Sequence, residues 1–447
     1  MFSSFFPSSL PKLSFSRGWS GRAVNIPAVE IHDVEVLSDK RGRRLKHLLR
    51  LNHATFSILY NHLRFHNHTP HLLGSACLLG GDADHLNSVY EDAATNEGHD
   101  HWEDAPSEIA LHDYRDFLGK RDYQRAWVDF FEDQLVLHGY DWKEVVSKFL
   151  FDRGTKGSDT EWPMFNALTS GLGHPLIHLG YAYELNSREV GMEALGLVAT
   201  CYDPKLAKIL ETKIPQNSQQ QIIKSHVKPT TDLFSILLKV HDDTRFDGMF
   251  DQPGGENLSH LLGDESLVSI LVEYWSSWQI KDPTKDFAQS QNLAIALLIA
   301  SASSVGGHGF DFFLVHLLTT SHAVRILIPV IEPQYHVLLV REWFLITLAI
   351  YIAQSRPEIK TSNITEYDVK GRDWEFVTTT AIQGPHKFDA HFVKACRAIK
   401  EAEKVWGETE DQYYLKAAVK FASEFDGWGG FGAEDEEVER EKTVKGG

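Results

Sequence analysis

The sequence predicts an all-α fold. Three observations carry that expectation: apolar residues recur at helical spacing from about Leu45 to Phe425, capping residues repeatedly stand just ahead of those runs, and alternating strand patterns and hairpin dipeptides are nearly missing. After Asp264, the residues Leu267, Val268, Ile270, Leu271, Tyr274, Trp275 and Trp278 fall on one face of a 3.6-residue helix, with Asp264 placed to cap it. Asp203-Pro204 and Asp282-Pro283 each put a cap before a proline, whose fixed φ suits the first helical turn, and Ser158 with Glu161 forms a capping box. Loops are expected near Glu91–Glu108 and at other clusters of turn residues.

This pattern reads as one large helical, bundle-like domain over residues 30–426. Residues 1–29 contain Lys12, Arg17 and Arg22, many serines and no acid, which describes either a disordered tail or a targeting segment; Pro7 and Pro11 interrupt any amphipathic helix there. A cytoplasmic location is expected, with a mitochondrial one as the alternative. Residues 427–447 read as an acidic, glycine-rich mobile end.

The chain has 447 residues, with 44 Lys+Arg against 62 Asp+Glu and a formal charge of −18. Such a surface repels phosphate backbones, so nucleic acid is not an expected partner. The apolar windows Leu314–Ile331 and His336–Ala353 are interrupted by His316, His322, Arg325, Arg341 and Glu342, so no integral membrane segment is expected. Cys77, Cys201 and Cys396 are odd in number and widely spaced, which argues against a disulfide framework and against a cysteine zinc site.

There are 23 histidines, and four groups of them lie in otherwise apolar helical surroundings. In Phe65-His66-Asn67-His68-Thr69-Pro70-His71-Leu72-Leu73, Pro70 marks a helix start, with His71 in the opening turn and His68 just before it. In Gly171-Leu172-Gly173-His174-Pro175-Leu176-Ile177-His178, the two histidines are four apart and share a face. His316 sits in the middle of an apolar helix, and His322, six residues on, points elsewhere. In Asp389-Ala390-His391-Phe392-Val393-Lys394-Ala395-Cys396, His391 and Lys394 share a helical face. A helix N-terminus favours neutral imidazole, the form that ligates metal; the plain alternative is a set of capping or core histidines bonded to carbonyls. A lysine at position 394 is ordinarily a snorkelling surface residue, but burial would free a neutral amine, which adds carbon dioxide to give a carbamate.

At these groups the sequence resembles the questin oxidase-like family of fungal and bacterial proteins. The matching stretches are Leu51-Asn52-His53-Ala54 with the HNHTPHLLG run, GLGHPLIHLGYAYE, FDFFLVHLLTTSHAVR and DAHFVKACRAI, from His53 to about Ile399. The resemblance implies oxidative cleavage of a carbon–carbon bond in polyketide anthraquinones, within secondary-metabolite biosynthesis. Some family members are Baeyer–Villiger-type oxidases using NADPH and oxygen. At least one resembles a non-haem iron dioxygenase whose iron has four histidine ligands and a carboxylated lysine. Carried over, this makes Lys394 the carbamate candidate and His71, His174, His178 and His316 the expected metal ligands, with His316 and Lys394 as catalytic residues. His68, His322 and His391 are neighbouring or reserve ligands.

The expected cofactors are Fe(II) and O2, with NADPH and a partner reductase in the monooxygenase alternative. No G-x-G-x-x-G stands between a strand and a helix, so a Rossmann-bound flavin is not expected. A non-catalytic helical scaffold is the alternative of another class. Metal-dependent phosphohydrolysis rests only on His241-Asp242 and is the weakest reading.

Overall fold

The expected caps form. Asp264 accepts from the backbone N–H of Ser266 at 2.8 Å and of Leu267 at 3.3 Å, and the helix it opens runs Glu265–Ser277. Asp282 accepts from Lys285 N–H at 3.2 Å ahead of Pro283–Ile299, and Pro204 opens Pro204–Lys213. This computed structural model describes residues 23–95, 98–153, 164–213, 227–301 and 309–432. Ser158 and Glu161 lie outside the described residues.

In chain order the helices are α1 (Lys40–Thr55), α2 (Thr69–Leu78), α3 (Ala83–Thr95), α4 (Gln124–Leu137), α5 (Trp142–Leu150), α6 (His174–Leu185), α7 (Arg188–Thr200), α8 (Pro204–Lys213) and α9 (Leu233–His241). They continue with α10 (Glu256–Gly263), α11 (Glu265–Ser277), α12 (Pro283–Ile299), α13 (Phe312–Leu327), α14 (Pro333–Ala353), α15 (Ser362–Thr365), α16 (Trp374–Gln383), α17 (Ala390–Trp406) and α18 (Tyr413–Glu424). The fold is all-α, as expected. The loop expected from Glu91 is helical as far as Thr95, because Leu86, Val89 and Ala93 give α3 a buried face.

Among the described residues, strand is confined to two short pairs. Leu59–Tyr60 (β1) pairs antiparallel with Phe65–His66 (β2), and Phe310–Asp311 (β3) pairs in parallel with Trp428–Gly429 (β4). The second pair places Trp428 and Gly429, at the start of the expected mobile end, against the fold; residues 433–447 of that end lie outside the described residues. Trp428 donates its indole N–H to Asp389 at 2.7 Å, and Phe431 packs on Phe312 at 5.1 Å between ring centroids. At the other end, Val24 is buried and donates its N–H to His336 Nδ1 at 3.2 Å, so chain inside the expected 1–29 tail is docked on α14.

The core is built on α14, whose residues Leu339–Ala353 are all buried. By length and composition it is the one described helix long and apolar enough to cross a membrane, and nearly all of that stretch is covered by protein. The interrupting charges do not stop the chain from burying it. Arg341 donates to the carbonyls of Trp275 and Trp278, and burial pushes the Glu342 carboxyl well above its usual range, favouring the neutral acid. Around this core, α6 packs on α7, α13 and α2, while α17 packs on α2, α13 and α18. Those contacts bring the four histidine groups to one junction.

Candidate functional site

The loop ahead of α6 explains how one of these histidines is aimed. Gly171, Leu172 and Gly173 take φ values of 54°, 59° and 77°, three successive left-handed residues. Glycine adopts that conformation freely, whereas Leu172 is strained by it. A Cβ on Gly173 would also overlap the Thr320 side chain of α13. The turn folds the Gly171 carbonyl back to within 2.6 Å of His174 Nδ1. A carbonyl only accepts, so Nδ1 carries the proton and Nε2 is left as a bare lone pair. That Nε2 is buried without a hydrogen-bond partner among the described residues.

The same logic recurs at His316. Its Nδ1–H donates to the Phe312 carbonyl one turn back, at 2.8 Å, and its Nε2 faces His391 Nε2 at 3.2 Å. His391 stands in the first turn of α17, which Asp389 caps by accepting from the N–H groups of His391 and Phe392 at 2.8 and 2.9 Å. His68 caps the start of α2; its ring stacks 4.8 Å from that of His174 and lies 4.6 Å from that of His391. One ligating nitrogen from each of His68, His174 and His391 falls within 4.8 Å of the other two.

His71 completes the inner group through a relay. With His178 neutral, His71 Nε2–H donates to His178 Nδ1 at 2.9 Å and His178 Nε2–H donates to Glu193 at 2.8 Å, leaving His71 Nδ1 as a buried lone pair without a partner. Beyond it, His53 binds Glu193 at 2.8 Å and the half-exposed Glu132 at 2.9 Å. Burial opposes the charge on Glu193, but the hydrogen bonds from His178 and His53 hold its carboxyl down at about 2. Burial likewise opposes protonation of His53, and the two carboxylates override it, lifting the ring to about 10. An ion triad that runs from the buried Glu193 through His53 to the half-exposed Glu132 therefore anchors the chain of rings.

Burial first, and the charge of Lys394 second, hold His68, His71 and His391 well below the ordinary imidazole value; burial and then Lys394 bring His316 to about 3. His174 is lowered mainly by burial and then by its neighbours His66 and His316. Neutral rings are what a metal needs, and here desolvation rather than the helix dipole supplies them. Lys394 is 2 % exposed. It is not a snorkelling residue.

The expected ligands His71, His174 and His316 thus gather with Lys394, and so do His68 and His391. His178 stands behind His71 with both ring nitrogens engaged. His322 is buried elsewhere, under the influence of Arg397 and Arg325. Sequence reading did not single out His66, whose ring stacks on His174 at 3.8 Å and whose Nε2 lies 3.3 Å from Cys201 Sγ, although it stands in the same HNHTPH run. Glu193 and Glu132 carried no signal at all. The donor set fits a divalent transition metal: several neutral imidazoles present buried nitrogens that otherwise stay unsatisfied, each costing about 1–3 kcal/mol. The 4.8 Å spread of the three nearest nitrogens is slightly wider than two opposed metal–nitrogen bonds of about 2.1 Å, so a bound ion would draw them in.

The structure defines a helical protein with a buried histidine cluster, and its family and the printed names of its relatives make it an oxidoreductase. A family model described as Questin oxidase-like matches residues 65–399, and the chain belongs to that family. Similar proteins include "Baeyer-Villiger monooxygenase AacuH" of Aspergillus aculeatus, 25 % identical over 81 % of this chain and 78 % of that one. "Questin oxidase" of Aspergillus fumigatus is 24 % identical over 80 % of each chain, and "Baeyer-Villiger oxidase AgnL3" of Paecilomyces divaricatus is 25 % identical over 80 % of this chain and 78 % of its own.

Proposed function

We propose that this protein cleaves a carbon–carbon bond beside the carbonyl of an anthraquinone-type aromatic polyketide, with O2, as a non-haem iron oxygenase. The observation that carries this reading is the gathering of His68, His71, His174, His316 and His391 within reach of the Lys394 charge, with buried, unpartnered nitrogens at His68 Nε2, His71 Nδ1 and His174 Nε2. Iron held there would supply an oxygen-activating centre. The chain's own residues do the rest. Gly171 and Phe312 fix the tautomers of His174 and His316 through their carbonyls, while Glu193 does so for His71 through His178. Phe312, which packs on His391 at 4.6 Å, and Trp428 wall the cluster against water.

Lys394 supports the same reading. An ammonium among neutral imidazoles in a dry interior is costly; loss of one proton frees the amine, which forms a C–N bond to CO2 and releases a second proton to give an anionic carbamate suited to a metal cation. Metal analysis of purified protein tests the proposal: about one iron per chain, lost together with turnover in Lys394→Ala and weakened in CO2-free buffer, is expected. Less than about a tenth of an equivalent of any transition metal, with turnover surviving chelation, would overturn it.

A second reading, Baeyer–Villiger monooxygenation, is favoured by the printed names of the relatives, and NADPH with a partner reductase would be its source of electrons. NADPH oxidation coupled one to one with product would establish it over dioxygenation.

A further inference from the structure

One turn past Lys394 on α17 the histidine cluster gives way to a second buried group of a different character. Arg397 on α17, Arg325 and His322 on α13 and Glu184 on α6 are 2, 5, 6 and 3 % exposed. Arg397 pairs with Glu184. That pair and a side-chain hydrogen bond between Arg397 and Tyr181 still leave most of the polar atoms unused: Nε and Nη1 of both arginines, Nε2 of His322, Oγ of Ser321 and Oε2 of Glu184 are buried with no hydrogen-bond partner. Tyr181 joins this group to the first. His71 stacks on its ring at 5.0 Å, and the Arg397 guanidinium lies 5.6 Å from the same centroid.

Two guanidinium groups face one fully buried carboxylate. Glu401, half-buried at the outer end of the same face of α17, is the other acid whose charge reaches both arginines. Burial and then the charges of Arg397 and Arg325 keep His322 neutral. Four open N–H groups on two planar forks are a high cost in a dry interior unless an anion receives them. A guanidinium fork matches the two oxygens of a carboxylate. The nearby Glu184 disfavours a doubly charged phosphate ester, since it already neutralises one of the two cations.

We propose that Arg325, Arg397 and His322 form a carboxylate-binding site that takes the acid group of an aromatic ligand lying beside Tyr181. The acid has two sources under the proposed function, on which this inference rests for its ligand: one carried by the intact polycyclic substrate, or one released when the ring opens. The site itself needs no metal. Calorimetric titration of the metal-free full chain therefore tests it separately from catalysis, with 2-benzoylbenzoate as a ring-opened keto acid, anthraquinone-2-carboxylate as an intact-ring acid, benzophenone as the neutral control and phenyl phosphate as the dianion.

The wild type is expected to bind at least one of the two acids about tenfold or more tightly than benzophenone, equivalent to about 1.4 kcal/mol. Arg325→Met is expected to abolish that preference while changing benzophenone affinity by less than about twofold, and Arg325→Lys to restore part of it through a single-point contact. Which acid binds better identifies the source, and either order supports the site. Equal binding of acids and benzophenone, a preference that survives Arg325→Met, or phenyl phosphate binding best would overturn it. Should Arg325→Met fail to fold, the wild-type series and Arg325→Lys decide the matter. Loss of metal and turnover in the Lys394 experiment with the acid preference intact would leave this site standing on its own.

Discussion

Glu193 shows how much one buried carboxylate controls. It accepts from His178 and from His53; its charge fixes which nitrogen of His178 carries a proton and helps keep both nitrogens of His53 protonated. Glu193→Gln keeps the shape but presents an amide N–H to one of those rings, so His71 loses its assigned tautomer. Metal affinity, read by chelator competition with Co(II) or Zn(II), should fall by about 10–100-fold; unchanged affinity would show that the relay does not reach the cluster.

The same residues set the pH profile of the metal-free protein. The neutral rings of His68, His71, His174, His316 and His391 titrate near 6.5 only once the chain unfolds, so the unfolded state takes up more protons below that pH. Stability should then fall on acidification, by up to about 1.4 kcal/mol per pH unit for each histidine. His53 works in the opposite sense: its folded value of about 10 gives stability that is complete below 6.5 and drains away as pH rises through 10. Urea midpoints should therefore peak near pH 7, where the loss from His53 first outweighs the gain from the five neutral rings, and His53→Gln should flatten the alkaline limb.

At the level of elements, the α6–α13 crossing depends on Gly173. Gly173→Ala meets two penalties, a left-handed φ of 77° and overlap with Thr320. It should cost about 2 kcal/mol or more and shift His174, seen as a lowered urea midpoint together with weakened metal binding. Helices and caps were legible in the chain because their signals are local: a 3.6-residue period, and an Asp before a run of apolar residues. The β1–β2 hairpin was not, since its loop Asn61-His62-Leu63 takes positive φ at all three residues without a glycine to announce it. The four histidine groups stood out because imidazole is conspicuous in apolar sequence. Which nitrogen faces which neighbour could not be read, because the contacts His71–His178 and His53–Glu193 join residues 107 and 140 positions apart. His178 illustrates the limit: its i, i+4 spacing from His174 is real, yet its ring is spent on Glu193.

Over the whole molecule, the segment Trp428–Phe431 closes the centre. β4 pairs with β3 just ahead of α13, Trp428 holds the Asp389 cap of the helix that carries His391 and Lys394, and Phe431 covers Phe312. Trp428→Ala should leave the helical far-ultraviolet signal intact, lower stability by about 1–3 kcal/mol and reduce the iron retained after gel filtration.

This closure also says where the fold would open first. Trp428–Phe431 are joined to the rest of the molecule by a two-residue strand pair, one indole hydrogen bond and ring contacts, far less than holds any of the packed helices. A segment so lightly held lifts away at a lower free energy than a helix unpacks, so the Gly429 amide should exchange its hydrogen sooner than those along α17.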